Sequence, residues 1–243
     1  MKKIYILLFA LVTTSQVKAQ LAVDLETGAA KFGYNDVRIP GNSGTLFSLA
    51  DRFENKFSPY FRARLQYTFN KRHSFLLLYA PFTHKSEGIL NTTINFQDEL
   101  FLAGDPIKAT WKFNSYRISY QYHLIAKEKF TFAIGLTGKV RDAKIALQNS
   151  TIYAEKTNLG FVPLIRFYAD LTLGEKFHLI ADGDALVAKQ GRAEDVLFAL
   201  GYNPFQRVRL KFGYRILEGG ADNDEVYNFS SVQYIAVAAA VTF

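Results

Sequence analysis

The chain has 243 residues, no cysteine and a formal net charge of +7, with 49% hydrophobic and 15% aromatic residues. The absence of cysteine excludes disulfide stapling and thiol-linked lipid anchoring, and because the basic residues do not cluster in runs, a sequence pI near 9.4 does not point to nucleic acid. Fourteen Tyr and 22 Phe at a mean hydropathy close to zero instead require apolar and polar residues to alternate closely along the chain.

The chain opens with Met1, Lys2 and Lys3, an apolar run over 4–12, and Val17-Lys18-Ala19 before Gln20. A positive start, a short apolar stretch and a small-residue cleavage site predict a secretory signal peptide over 1–19, leaving one domain over 20–243. The apolar run is too short for a membrane helix, which takes about 20 residues. Loss of three lysines with the leader lowers the formal charge from +7 to +4.

Strands are expected along the rest of the chain, because apolar residues recur with a period of two. The first covers 21–32, with Asp24 and Glu26 opposing Val23 and Leu25, and a polar connection over 33–56 follows. The second, 57–69, alternates cleanly: Phe61, Ala63, Leu65 and Tyr67 against Arg62, Arg64 and Gln66. After a turn at 70–73, the third (74–84) is apolar on both faces, so its phase is not readable. The longest connection, 85–109, has room for a short helix or strand at 94–102. The fourth strand, 110–124, sets Tyr116, Ile118, Tyr120 and Tyr122 against Ser115, Arg117, Ser119 and Gln121.

A turn at 126–129 leads to the fifth strand, 130–143, with Lys139 and Arg141 on its polar face. A polar loop over 144–156 precedes the sixth, 157–173, which carries Arg166 and Asp170, and a turn at 174–176 leads to the seventh, 177–188, which carries His178, Asp182 and Asp184. A loop over 189–195, the eighth strand at 196–202 and an Asn203-Pro204 turn follow. The ninth strand sets Val208, Leu210, Phe212, Tyr214 and Ile216 against Arg207, Arg209, Lys211 and Arg215. An acidic loop over 218–228 leads into the tenth, 232–243, which alternates up to a terminal Phe243.

Ten strands is an even number, and the four tight turns all fall on one side of the array while the five longer connections fall on the other. Short turns on one side and long loops on the other characterise transmembrane barrels. The expected fold is therefore all-β: an antiparallel up-and-down transmembrane barrel of about ten strands, with eight or twelve as alternatives. The final strand resembles that of the outer-membrane β-barrel proteins of Gram-negative bacteria, in which a terminal Phe after alternating apolar residues is read by the barrel-assembly machinery. This resemblance implies an outer-membrane location, contact with membrane lipid and lipopolysaccharide, and a monomeric state.

The polar face gathers Arg62, Arg64, Arg117, Lys139, Arg141, Arg166, Arg207, Arg209, Lys211 and Arg215 against Asp24, Glu26, Asp170, Asp182 and Asp184. A ten-strand barrel is narrow, so these residues are expected to form a paired network in the lumen, because a buried unpaired charge is costly. The excess of bases gives a second possibility, a narrow anion-preferring pore. The leading expectation for function is a non-enzymatic barrel whose long loops bind a partner or cap the charged lumen.

His84 and Ser86, two apart, resemble the His–Ser pair of outer-membrane lipid A deacylases and give an acyl-hydrolase alternative, without the Asn that follows Ser in that family. An omptin-like protease is disfavoured, because no paired Asp-Asp and Asp-His sets stand at the outer rim. Asp222, Asp224 and Glu225 are weak candidates for a hard cation, since they lack the spacing of an EF-hand. No cofactor is expected.

Overall fold

The structure is a computed structural model and describes residues 20–188 and 191–243; the expected leader over 1–19 lies outside the described residues. Ten antiparallel strands form the wall: β1 (Gln20–Arg38), β2 (Ser58–Phe69), β3 (His73–Ala80, resumed as Thr83–Ile89), β4 (Pro106–Ala126) and β5 (Phe130–Gln148). The other five are β6 (Tyr153–Leu173), β7 (Phe177–Ala188), β8 (Gly191–Phe205), β9 (Val208–Asp222) and β10 (Tyr227–Thr242). Each pairs with its neighbour in sequence, and β10 pairs with β1 from Ala22↔Thr242 to Arg38↔Tyr227. The Phe243 amide donates to the Leu21 carbonyl at 2.8 Å, so the ladder continues to the last residue. The fold is a closed all-β barrel, and closure removes the exposed edges that an open sheet would carry.

Alternation sorts the two faces. On β4 the odd-numbered residues Ser115, Arg117, Ser119 and Gln121 are buried while Tyr116, Ile118 and Tyr120 are exposed. Phe61, Tyr214 and Phe212, the last 63% exposed, also face outward. These outward residues form an apolar band with aromatic rings near the tight turns, among them the Phe177–Tyr202 and Phe75–Tyr120 pairs. Aromatic side chains of this kind favour a membrane–water boundary.

Several expected boundaries are corrected. The expected loops over 144–156 and 218–228 shrink to residues 149–152 and 223–226, and the expected loop over 189–195 gives way to β8 from Gly191. Strands of up to 21 residues are longer than the roughly 9–11 needed to cross a bilayer. Their outer parts rise past the lipid, where the outward face carries polar residues such as Lys108, Lys144 and Glu155 while Ile145, Leu147 and Ala154 stay buried inside. The third expected strand breaks at residues 81–82, and the segment at 94–102 is a hairpin, Ile94–Phe96 with Glu99–Phe101.

The connections after β1 and β3 fold inward as a cap. Ile39, Phe47, Leu49, Ile94, Phe96 and Phe101 are buried together with Phe32, Tyr60, Trp111 and Tyr234 from the wall. Under the cap the loop half of the barrel therefore has an apolar, aromatic interior, beside inward polar residues such as Lys139, Arg141 and Glu218.

Gly28 of β1 holds a backbone conformation that favours glycine. Its φ is +148°, and a Cβ there would meet the Ile235 carbonyl oxygen at 2.0 Å and the Tyr60 ring at 3.3 Å. Gly28→Ala is expected to lower unfolding free energy by about 1–2 kcal/mol, the scale of a strained backbone position. Urea unfolding followed by the fluorescence of Trp111, the one tryptophan, would check it; an unchanged midpoint would mean that glycine is not required there.

Candidate functional site

The polar interior is built where strands bring acids and bases level with one another. On β1, β10 and β9, Asp24 stands level with Ala240 and Arg209, and Glu26 with Ala238 and Lys211. The alanines between them leave room for the long basic side chains to cross. Lys211 contacts Asp24, and Arg209 reaches Asp170 at 2.6 Å. The Arg215 guanidinium donates twice to Glu26, Nε to Oε1 and Nη2 to Oε2, both at 2.8 Å.

Across the barrel, Asp184 on β7 and Asp195 on β8 are register partners, so two carboxylates sit side by side. Arg117 of β4 bridges them, with Nη1 at 2.6 Å from Asp184 and Nη2 on Asp195. Asp195 also receives Arg62 of β2 at 2.9 Å and Arg215 of β9 at 2.6 Å, so one carboxylate, 1% exposed, holds three guanidiniums from three strands. Arg166 bonds Asp182 at 2.6 Å, and Arg64 contacts the same carboxylate. Bidentate and shared guanidinium–carboxylate contacts satisfy both geometry and charge in a buried interior.

Asp195 is absent from the sequence reading, which ends a loop on it. Its one available signal is that it shares parity with Leu197 and Ala199, both buried on β8. Arg207 is corrected in the other direction: it lies in the tight turn between β8 and β9, is exposed, and stands outside the network. Lys139 and Arg141 face inward but make no ion pair among the described residues. The Lys139 ammonium lies 4.6 Å from the centre of the Phe113 ring, and Arg141 donates to Asn158.

Two cavities flank the network. One, of about 520 Å³, opens at the loop end and is lined by Trp111, Phe113, Lys139, Arg141, Leu217 and Glu218 among others. The other, of about 550 Å³, opens at the turn end and is lined by Asp24, Arg64, Arg166, Asp170 and Arg209 among others. They have no lining residue in common, and Glu26, Arg62, Arg117, Asp184, Asp195 and Arg215 line neither. At the outer end, Glu218 accepts from Arg192 and Tyr34. Burial works against its charge, but those two donors hold the carboxyl below the usual carboxylate range.

His84 and Ser86 do not form the hydrogen-bonded pair that the acyl-hydrolase alternative needs. Both are buried on the inward face, and no hydrogen bond joins them. The His84 Nδ1 lies 2.9 Å from Ser58 Oγ, while its Nε2 is buried without a partner and no carboxylate orients the ring. The other three histidines belong to the turn half: His123 lies 3.1 Å from Ser74 Oγ, His178 lies 2.8 Å from Asp170, and His73 lies 2.8 Å from the Tyr120 hydroxyl. Asp222, Asp224 and Glu225 do not converge, since Glu225 pairs with Lys156 at 3.2 Å; no group of three His, Asp or Glu able to hold a metal occurs among the described residues.

No protein-family model matches the chain, and no curated protein matches it in sequence. Among solved structures it is similar to the outer-membrane protease OmpT of Escherichia coli, at 9% identity and a TM-score of 0.55, covering 96% of this chain and 99% of that one. Ail, the attachment invasion locus protein of Yersinia pestis, in complex with the heparin analogue sucrose octasulfate, aligns at 13% identity and a TM-score of 0.42, over 92% of this chain and 99% of that one. An outer-membrane channel from Pseudomonas putida F1 aligns at 10% identity and a TM-score of 0.43, over 95% and 97% of the two chains. Identity this low establishes the outer-membrane β-barrel fold alone.

Proposed function

We propose that this chain is a non-enzymatic, non-conducting barrel of the outer membrane that works as a monomer through its loop end. The observation that carries this is the ion network centred on Asp195, whose residues Glu26, Arg62, Arg117, Asp184, Asp195 and Arg215 line neither of two cavities that share no lining residue. Above it the cap of Phe47, Ile94, Phe96 and Phe101 covers part of the lumen, leaving the outward cavity as the place where a ligand could be held. The outward apolar band supports a setting in membrane lipid and lipopolysaccharide, and the alternating apolar residues of β10 support delivery by the barrel-assembly machinery.

Planar-bilayer recording tests the proposal. Purified protein inserted into the bilayer is expected to give no stable conductance steps, because permeation would require parting guanidinium–carboxylate pairs held in the buried interior. Steady steps with anion selectivity would establish the pore alternative in its place.

A further inference from the structure

We infer that the outward cavity is a binding site for a small anionic ligand, one acidic group carried on an aromatic or aliphatic body. This deepens the reading of the loop end as a binding surface. The wall between β4 and β5 changes character in steps from the network outward. Arg117 is level with Lys139, Ser115 with Arg141, Phe113 with Ala143, and Trp111 with Ile145. Cations thus form the floor, and a stacked pair of rings stands above them: Trp111 and Phe113 have centroids 5.3 Å apart and an interplanar angle of 3°.

The floor cations are unmatched while the others around the cavity are not. Lys112 pairs with Asp142 at 2.7 Å, Lys144 with Glu155 at 3.2 Å, Lys156 with Glu225 at 3.2 Å and Arg192 with Glu218 at 2.6 Å. Lys139 is 2% exposed, lines the cavity, and makes no hydrogen bond or ion pair among the described residues. Arg141 has a buried Nε without a partner. Gly160, level with Arg141 on β6, leaves the guanidinium its space, since a Cβ there would lie 3.0 Å from Nη2.

An ammonium buried against an aromatic face, beside a half-satisfied guanidinium, is completed by an acceptor oxygen carrying negative charge. A carboxylate, phosphate or sulfate supplies it. The volume of about 520 Å³ is that of a small-molecule pocket. A ligand body directed outward from its acidic group would meet Phe113, Trp111, Ile39 and Leu217, all lining the same cavity.

The single tryptophan in the wall provides the readout. Quenching of Trp111 fluorescence in nanodisc-embedded protein is titrated with 4-nitrobenzoate, 4-nitrophenyl phosphate, 4-nitrobenzyl alcohol and 4-nitrobenzylamine. The two anions are expected to quench saturably and about tenfold or more tightly than the alcohol, with the amine weakest, and inorganic phosphate should compete with them. Lys139→Met should weaken the anions about tenfold and leave the alcohol unchanged, and Lys139→Arg should restore them. Should Lys139→Met fail to fold, the ligand series and phosphate competition on the unaltered protein decide alone. Equal affinity for anion and alcohol, no saturable quenching, or full anion affinity in a folded Lys139→Met would overturn the site. Bilayer conductance is independent of this result: a conducting barrel that binds 4-nitrobenzoate would refute the closed lumen and keep the anion site, and a silent barrel without quenching would do the reverse.

Discussion

Asp195→Ala is expected to lower the unfolding free energy by about 3–5 kcal/mol, the cost of leaving a buried charge uncompensated. Three guanidiniums lose a shared acceptor at once: Arg62 at 2.9 Å, Arg215 at 2.6 Å, and Arg117. Arg215 keeps Glu26, and Arg117 keeps Asp184, so part of the network survives. Arg62 keeps only a 3.8 Å approach to Glu26. Adding Arg62→Met should therefore recover part of the loss, because it removes the most orphaned charge and leaves an apolar side chain in its place. Urea unfolding in lipid vesicles, followed by gel mobility of heated and unheated samples, measures both variants. A change below about 1 kcal/mol for Asp195→Ala, the usual scale of an ordinary substitution, would mean that water in the lumen already screens these charges.

Leu136→Arg is expected to cost about 2–4 kcal/mol, the penalty for Arg near the bilayer midplane on the lipid face of a barrel. Leu136 is 65% exposed and lies on β5, which begins at Phe130. At about 3.3 Å per residue and a tilt near 45°, that separation is about 14 Å along the membrane normal, close to half of a hydrocarbon core about 30 Å thick. Leu159 on β6 supplies the contrast. It is more exposed than Leu136, at 75%, but stands level with Asp142, which pairs with Lys112 outside the apolar band. Leu159→Arg should change stability by no more than about 0.5 kcal/mol, as for a wet surface site. Equal costs at the two positions, measured in the same vesicles, would refute this placement of the membrane.

Much of the wall was legible in the chain because a membrane barrel imposes a period of two on every crossing. The expected bounds 177–188 coincide with β7, and those of the second and last strands fall within a few residues of β2 and β10. Alternation also put Asp24, Glu26, Arg62, Arg64, Arg117, Arg166, Asp170, Asp182, Asp184 and Arg215 on one face. Where the wall rises past the lipid, the rule weakens, since the outward face no longer has to be apolar. The segments 144–156 and 218–228 read as loops for that reason. Asp195 was lost with them, although it holds three guanidiniums, more than any other acid among the described residues.

By itself, the sequence determined the strand rhythm, the sorting of tight turns to one end and the inward side of most charges, because each follows from neighbours along one strand. Only the tertiary structure decided which charges meet. Asp195 joins Arg62, Arg117 and Arg215 across separations of 133, 78 and 20 residues, contacts set by register and barrel closure, which no local pattern encodes. The same holds for the apolar cap and for the unpaired Lys139: whether an inward lysine finds a carboxylate depends on what stands opposite it in the closed barrel, and opposite Lys139 stand Arg117 and Val162.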